Sequence, residues 1–301
     1  MTQFIDPLTL ARVKDMPLVA KTVAQGVLHG LHTSTQRGTG VEFSQYRAYE
    51  PGDPLGRIDW KLFARSDRYF VREAQRESNI NVWLVLDASQ SMLQISEKSA
   101  GQGGWHKLDY ARYLLATIGY IAQQQGDGVG LVGLSSEHID YLPARNGQQH
   151  WHKLLLHLSR VQPGKTFPKA PQIPDHLAVG QMSGLVFVVS DFHQQNNEIM
   201  DFVSSLSAPQ TEVVAAQLCC DDELNFPFTG QVRFEDLESG QQRLVAAKQA
   251  KAEYLQAYSQ FQHALDQQFQ QHRIQCIHGN IDQPLDECLY HYLAARHKVG
   301  Y

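Results

Sequence analysis

Short, nearly unbroken apolar runs alternate along the chain with longer stretches in which apolar residues recur every three or four positions. The runs are Ile80 to Leu86 (INVWLVL), Gly128 to Leu134 (GVGLVGL), Gly184 to Ser190 (GLVFVVS), Thr211 to Leu218 (TEVVAAQL) and Arg273 to His278 (RIQCIH). Their continuous apolar content suits strands covered on both faces. Strands of this kind separated by helical stretches predict an α/β fold, a doubly wound and mostly parallel sheet.

Between the first two runs, Leu108, Ala111, Leu115, Ile118 and Ala122 form one apolar stripe at helical spacing, and Gly126 supplies a stop. Further helices are expected over His150–Val161, within Asn196–Leu206, over Ala246–Gln271 and over about Leu285–Arg296, with an N-terminal one at roughly Leu8–Leu28. Asn225–Ala246 reads instead as a hairpin turning at Ser239-Gly240. Tyr69-Phe-Val-Arg-Glu73 is a strand candidate expected to pair with that hairpin in a small β lobe. The expected division is residues 1–79, a helix plus a polar segment, and 80–301, the sheet domain with a hairpin insertion at about 225–246.

A chain of 301 residues with 43% hydrophobic and 19% charged residues is ordinary for a globular protein, and a net charge of -5 gives no sign of nucleic-acid binding. No run of about 18 apolar residues predicts a membrane span. The N-terminus lacks the basic start and apolar stretch of a signal peptide. The four cysteines include no CxxC pair, and Cys219 and Cys220 read as buried reduced thiols. A cytoplasmic location is expected.

The chemistry is concentrated at strand ends. Directly after the first apolar run comes Asp87-Ala-Ser89-Gln-Ser91, a carboxylate and two hydroxyls within five residues. Serine and aspartate also serve as ordinary turn and cap residues, so this stretch alone decides little. Asp191 follows the run GLVFVVS in the same way, and open α/β sheets bind ligands beyond the carboxyl ends of their strands. Pro163-Gly164-Lys165-Thr166 adds a hydroxyl on a glycine-bearing loop. Two carboxylates held close repel each other, and a cation resolves the conflict. Asp87, Ser89, Ser91, Thr166 and Asp191 are hard oxygen donors of the kind that suits Mg2+, with Mn2+ as a substitute.

That pattern resembles the metal-ion-dependent adhesion site of von Willebrand factor type A domains, with all five positions matched. The resemblance implies a von Willebrand A-like, Rossmann-like fold and a metal whose open position takes a partner's carboxylate. Gly40 to Asp53, with Arg47, Tyr49 and Pro51-Gly52-Asp53, then Arg57-Ile-Asp59-Trp60-Lys61, Ala64-Arg65 and Tyr69-Phe-Val-Arg72-Glu73, narrows it. This segment resembles the signature of domain-of-unknown-function family 58, bacterial proteins built on such a domain, and the likeness runs loosely to the C-terminal helix. The family implies a partnership with a MoxR-type AAA+ ATPase, as an adaptor in assembly or maturation of other, client, proteins. Many relatives carry membrane helices ahead of the signature, and none is seen here. Two readings of the signature stand: a clasp of ion pairs pinning a long loop, or a docking surface using Arg47, Arg57, Trp60, Lys61 and Arg65.

Other signals fall away. Gly128-Val-Gly130-Leu-Val-Gly133 matches a dinucleotide fingerprint by letter but lies inside an apolar run after a helix. Gly164-Lys165-Thr166 lacks the first glycine of a phosphate loop, and Pro168 and Pro171 oppose a following helix. Fourteen histidines show neither HExxH nor finger spacing. No nucleophile elbow or reactive-cysteine pattern is present. The expectation is therefore a binding module and not an enzyme. The alternatives are a magnesium-dependent hydrolase of phosphate esters, which lacks an evident base or cationic clamp, and a metal-free scaffold.

Overall fold

The computed structural model describes residues 15–36, 46–48, 65, 69–72, 80–96, 105–169, 182–194 and 196–299. Chain contacts divide it into two units, residues 1–31 with 79–301, and residues 32–78. The N-terminal helix α1 runs Met16–Gln36, past the Leu28 end that the sequence predicts, while the predicted start at Leu8 lies outside the described residues; most of α1 falls in the larger unit.

In the smaller unit, β1 (Tyr46–Ala48) pairs antiparallel with β2 (Phe70–Arg72), Tyr46 opposite Arg72. This corrects the expected pairing of the Tyr69–Glu73 strand with the distant hairpin. A strand 22 residues upstream closes a far smaller loop than one beyond position 230.

The larger unit is a six-stranded sheet. In chain order its strands are β3 (Asn81–Asp87), β4 (Gly128–Leu134), β5 (Ile139–Arg145), β6 (Gly184–Ser190), β7 (Thr211–Cys219) and β10 (Gln275–Asn280). In space the order is β10-β7-β6-β3-β4-β5, parallel except for β5, which runs antiparallel to β4 at the edge. Sequence reading misses β5 because only Leu142 of its seven residues is buried and Pro143 interrupts it, a residue tolerated on an edge strand. Gly130 and Gly133 leave room for neighbouring side chains: a Cβ on Gly130 would lie 2.5 Å from the Trp83 ring and one on Gly133 3.1 Å from Val161. They serve packing, not a nucleotide.

Alternate residues of each strand face opposite cores. Leu84, Leu86, Leu131, Phe187, Val189 and Val214 pack under α1, α2 (Lys107–Gln124), α3 (Gln148–Arg160) and α7 (Leu285–Val299). Trp83, Val85, Val132, Val186, Val188 and Ala215 pack under α4 (Glu198–Ser205) and α6 (Ala247–Gln271). Each such fully buried side chain contributes about 1.5–3 kcal/mol. The result is the doubly wound α/β architecture the pattern predicts. A short helix α5 (Asp221–Asn225) leads to the hairpin β8 (Gln231–Glu235) and β9 (Gln242–Ala246), a two-stranded sheet of its own.

Candidate functional site

The chain passes from β3 through β4 and β5, then crosses back to place β6 on the other side of β3. That reversal opens a crevice at the carboxyl ends of β3 and β6. The two strands are parallel neighbours with Leu86 opposite Val189, so Asp87 and Ser190 leave the sheet side by side.

Both are buried, as are Ser89 and Asp191. Asp87 Oδ1 accepts the Ser89 N–H at 2.8 Å, and Oδ2 accepts the Ser190 hydroxyl at 2.6 Å. Ser89 and Ser91 hydroxyls lie 3.0 Å apart, and the Ser91 hydroxyl donates to Asp191 Oδ1 at 3.2 Å. Four of the five oxygen-bearing residues singled out from sequence are thus linked in one chain of contacts. The loop that carries the fifth, Thr166, is tied to the same turn by its neighbours, Gly164 N–H donating to Ala88 O at 2.8 Å and Gln90 N–H to Lys165 O at 3.4 Å, while the backbone of Thr166 itself bonds Ser136. Thr166 itself is half-buried.

After Asp191 the backbone turns through Phe192, whose φ of 58° is left-handed. A non-glycine residue there costs about 1–2 kcal/mol. The buried Phe192 ring, edge-on to Phe269 at 5.1 Å, holds it. The turn lets the Phe192 N–H donate to Ser190 Oγ and the His193 N–H to Asp191 Oδ1, fixing the carboxylate toward Ser91.

Lys107, the first residue of α2, is fully buried and was not singled out from sequence. Its ammonium donates to Asp191 Oδ2 at 3.2 Å, Glu223 Oε1 at 2.8 Å and Gln94 Oε1 at 3.2 Å. Glu223, on α5, also accepts the Cys220 N–H at 2.9 Å and lies 3.0 Å from His193 Nε2. The only sequence hint was a cation in the first turn of a helix, where the macrodipole disfavours it.

Burial, then the charge of Asp191, pushes the Asp87 carboxyl up to about 6, against the Ser190 and Ser89 hydrogen bonds that lower it. Burial opposes charge on Lys107 and Glu223 too, but there the ion pairs win: Asp191 and Glu223 hold the ammonium above its usual range, and Lys107 with His193 holds Glu223 down at about 2. Asp87 is therefore the member of the cluster short of positive charge. A hard divalent cation fits that deficit, and every candidate ligand atom is oxygen.

The site opens into a cavity of about 840 Å³ lined by Ser91, His193, Glu223, Phe228, Phe234 and Glu238. Its aromatic wall is a cluster around Phe226, which lies 4.8 Å from Tyr254 and 5.2 Å from Phe228. Glu238 sits in the hairpin turn, its N–H bonded to Asp236 Oδ1. Burial, then the charges of Asp191 and Asp87, raises its carboxyl to about 7.

Of the candidate docking residues, Arg47 lies on β1 and Arg65 is exposed; Arg57, Trp60 and Lys61 lie outside the described residues. The four cysteines are free, with Cys219 and Cys220 buried as expected.

A family model described as "Protein of unknown function DUF58" matches residues 45–264. The chain belongs to this family. Among relatives of this DUF58 protein, the uncharacterized protein Rv1480 of Mycobacterium tuberculosis is 29% identical over 244 residues, 78% of this chain and 73% of its own length. The uncharacterized protein YeaD of Bacillus subtilis is 26% identical over 113 residues, 38% of this chain and 25% of its own. Similar solved structures include the conserved hypothetical protein BatB from Bacteroides thetaiotaomicron, with TM-score 0.41, 10% identity and coverage of 73% and 99%. Another is the SpRpn10 VWA domain, with TM-score 0.36, 8% identity and coverage of 70% and 93%. Among the described residues no helix is long and apolar enough to cross a membrane.

Proposed function

We propose that this DUF58 chain is a protein-binding module whose contact with its partner runs through Mg2+ or Mn2+ held by Asp87, Ser89, Ser91, Thr166 and Asp191. The observation that supports the reading most is the meeting of Asp87 and Asp191 with the two serines at the switch point of the sheet, beside an open cavity. When bound, such a cation supplies a hard positive centre with room for a partner's carboxylate. The mouth needs one, because the acidic residues that line it, Glu223, Glu235, Asp236 and Glu238, otherwise repel an acidic ligand. The family resemblance extends the proposal to a MoxR-type AAA+ ATPase as the partner, with this chain its adaptor toward client proteins.

Co-purification from extracts with Mg2+ or with EDTA tests it. Capture of an AAA+ ATPase that depends on Mg2+ and is lost in Asp87→Ala is the expected result; equal capture by parent and variant in EDTA would reject it.

One observation favours the metal-free scaffold as a second reading: Lys107 already stands as a cation against Asp191. The same observation weakens the hydrolase alternative, because this ammonium is committed to Asp191, Glu223 and Gln94 and is not open to a phosphate.

A further inference from the structure

At the outer edge of the sheet, donors of a different chemistry meet. Cys276 and His278 are two apart on β10, so both project to one face of the strand. Asp266 comes to that face from the last third of α6. The thiol sulfur, a ring nitrogen of His278 and a carboxylate oxygen of Asp266 all lie within 4.8 Å of one another, and His278 Nε2 is 3.6 Å from Asp266 Oδ1. Zinc bonds of about 2.0–2.3 Å in a tetrahedron place ligand atoms roughly 3.3–3.8 Å apart. The histidine–carboxylate distance already falls in that range, and the rest need close by only about 1 Å.

A second observation concerns the ring's orientation. Gln217, buried on the neighbouring strand β7 and in register with His278, places Oε1 3.1 Å from His278 Nδ1. A carboxamide oxygen only accepts hydrogen bonds, so Nδ1 donates to it and the ring is held with Nε2 toward Asp266, the nitrogen that a metal would take in place of a proton. Metal-bound imidazoles are held in this way, by a fixed acceptor on the nitrogen opposite the metal. A simple surface ion pair between His278 and Asp266 needs neither the buried glutamine nor the free thiol beside it.

We propose that Asp266, Cys276 and His278 form a second metal site, for a transition metal of the zinc type, with water as the fourth ligand. A thiolate, an imidazole and a carboxylate together select Zn2+ over Mg2+, so this site is separate from the oxygen cluster at the strand ends and does not rest on its reading. Binding exchanges the Cys276 S–H bond for a sulfur–metal bond and releases one proton to solvent. The His278 and Asp266 side chains are 54% and 41% exposed, which leaves the metal a path in from solvent. Once bound, the metal ties α6 to the edge strand.

Cobalt titration of the reduced, EDTA-stripped full chain tests the assignment, because a thiolate on Co2+ gives a charge-transfer absorption that histidine and carboxylate sites lack. One equivalent of Co2+ should produce that band, and Zn2+ should displace it. The band should vanish in Cys276→Ser and fall at least ten-fold in affinity in His278→Gln, an exposed position whose change leaves the fold intact, while Asp87→Ala retains it. No band in the parent, or a band that survives in both Cys276→Ser and His278→Gln, would overturn the proposal. So would its loss in Asp87→Ala with the circular dichroism spectrum unchanged.

Discussion

Replacing Lys107 by methionine keeps most of the side chain's volume and removes the positive charge on which two buried carboxylates depend. Asp191, 3.2 Å from the ammonium, and Glu223, 2.8 Å from it, would then be left in the interior with only His193, 3.0 Å from Glu223, as a cationic neighbour. Breaking a buried pair by deleting one partner typically costs 3–5 kcal/mol, so a loss of about 4 kcal/mol is expected. The lowered Glu223 carboxyl points the same way, though Lys107 shares that effect with His193. The carboxyl is held at about 2 against a usual 4.5, equivalent to about 3 kcal/mol of stabilisation at neutral pH. Against a total stability of roughly 5–15 kcal/mol, the melting temperature should fall by roughly 10 °C. Urea unfolding at pH 7 in EDTA, run on Lys107→Met, Glu223→Gln and the double variant, measures the loss and the coupling between the two residues. Millimolar Mg2+ should recover more stability in Lys107→Met than in the parent, because the cation then serves an Asp191 that has no other. A variant with the parent's midpoint in EDTA would refute the ion-pair account. One destabilised but indifferent to Mg2+ would refute the claim that Asp191 lies within a cation's reach.

The Glu223 carboxyl sits below its unfolded value, so its stabilising contribution is present above about 4.5 and disappears as the pH falls toward about 2; acid unfolding of the parent should be steeper in that window than that of Glu223→Gln. Asp87 and Glu238 are held up at about 6 and about 7, so Mg2+ binding near pH 7 should release protons, read by calorimetry in buffers of different ionisation enthalpy, and the release should fade toward pH 9; a proton count that does not change with pH would contradict this. Ser190→Ala removes the 2.6 Å hydrogen bond that steadies Asp87 and should weaken Mg2+ binding about ten-fold, while direct ligands are untouched. Gly184→Ala forces a side chain onto a residue with φ of 107° and sets its Cβ 2.2 Å from Asn81 O, so a loss of roughly 3 kcal/mol in urea unfolding is expected.

What was legible in the chain was whatever repeats locally. The apolar runs marked β3, β4, β6, β7 and β10, and the polar residues just beyond two of them, Asp87 and Asp191, are the ones the sheet brings together. The partners of those carboxylates were not legible. Lys107 heads an amphipathic helix, where a lysine reads as solvated, and its burial depends on α5 arriving from 116 residues away. Glu223 lies on a helix of five residues, too short to show a period. Ser190 read as the end of an apolar strand, and only its neighbour β3 turns its hydroxyl into an anchor for Asp87. The same holds at the sheet edge: Cys276 and His278 share a strand, but nothing in the spacing announces Asp266 or Gln217.

Electron paramagnetic resonance of Mn2+ added to the metal-stripped chain addresses the cation site most directly, since free Mn2+ gives a sharp signal that is lost on binding. The parent should bind one Mn2+ that Mg2+ displaces, and Asp87→Ala and Asp191→Asn should each leave the signal free, while Cys276→Ser binds as the parent does. Undiminished signal in the parent at millimolar protein, or equal binding by parent and Asp191→Asn, would contradict the account.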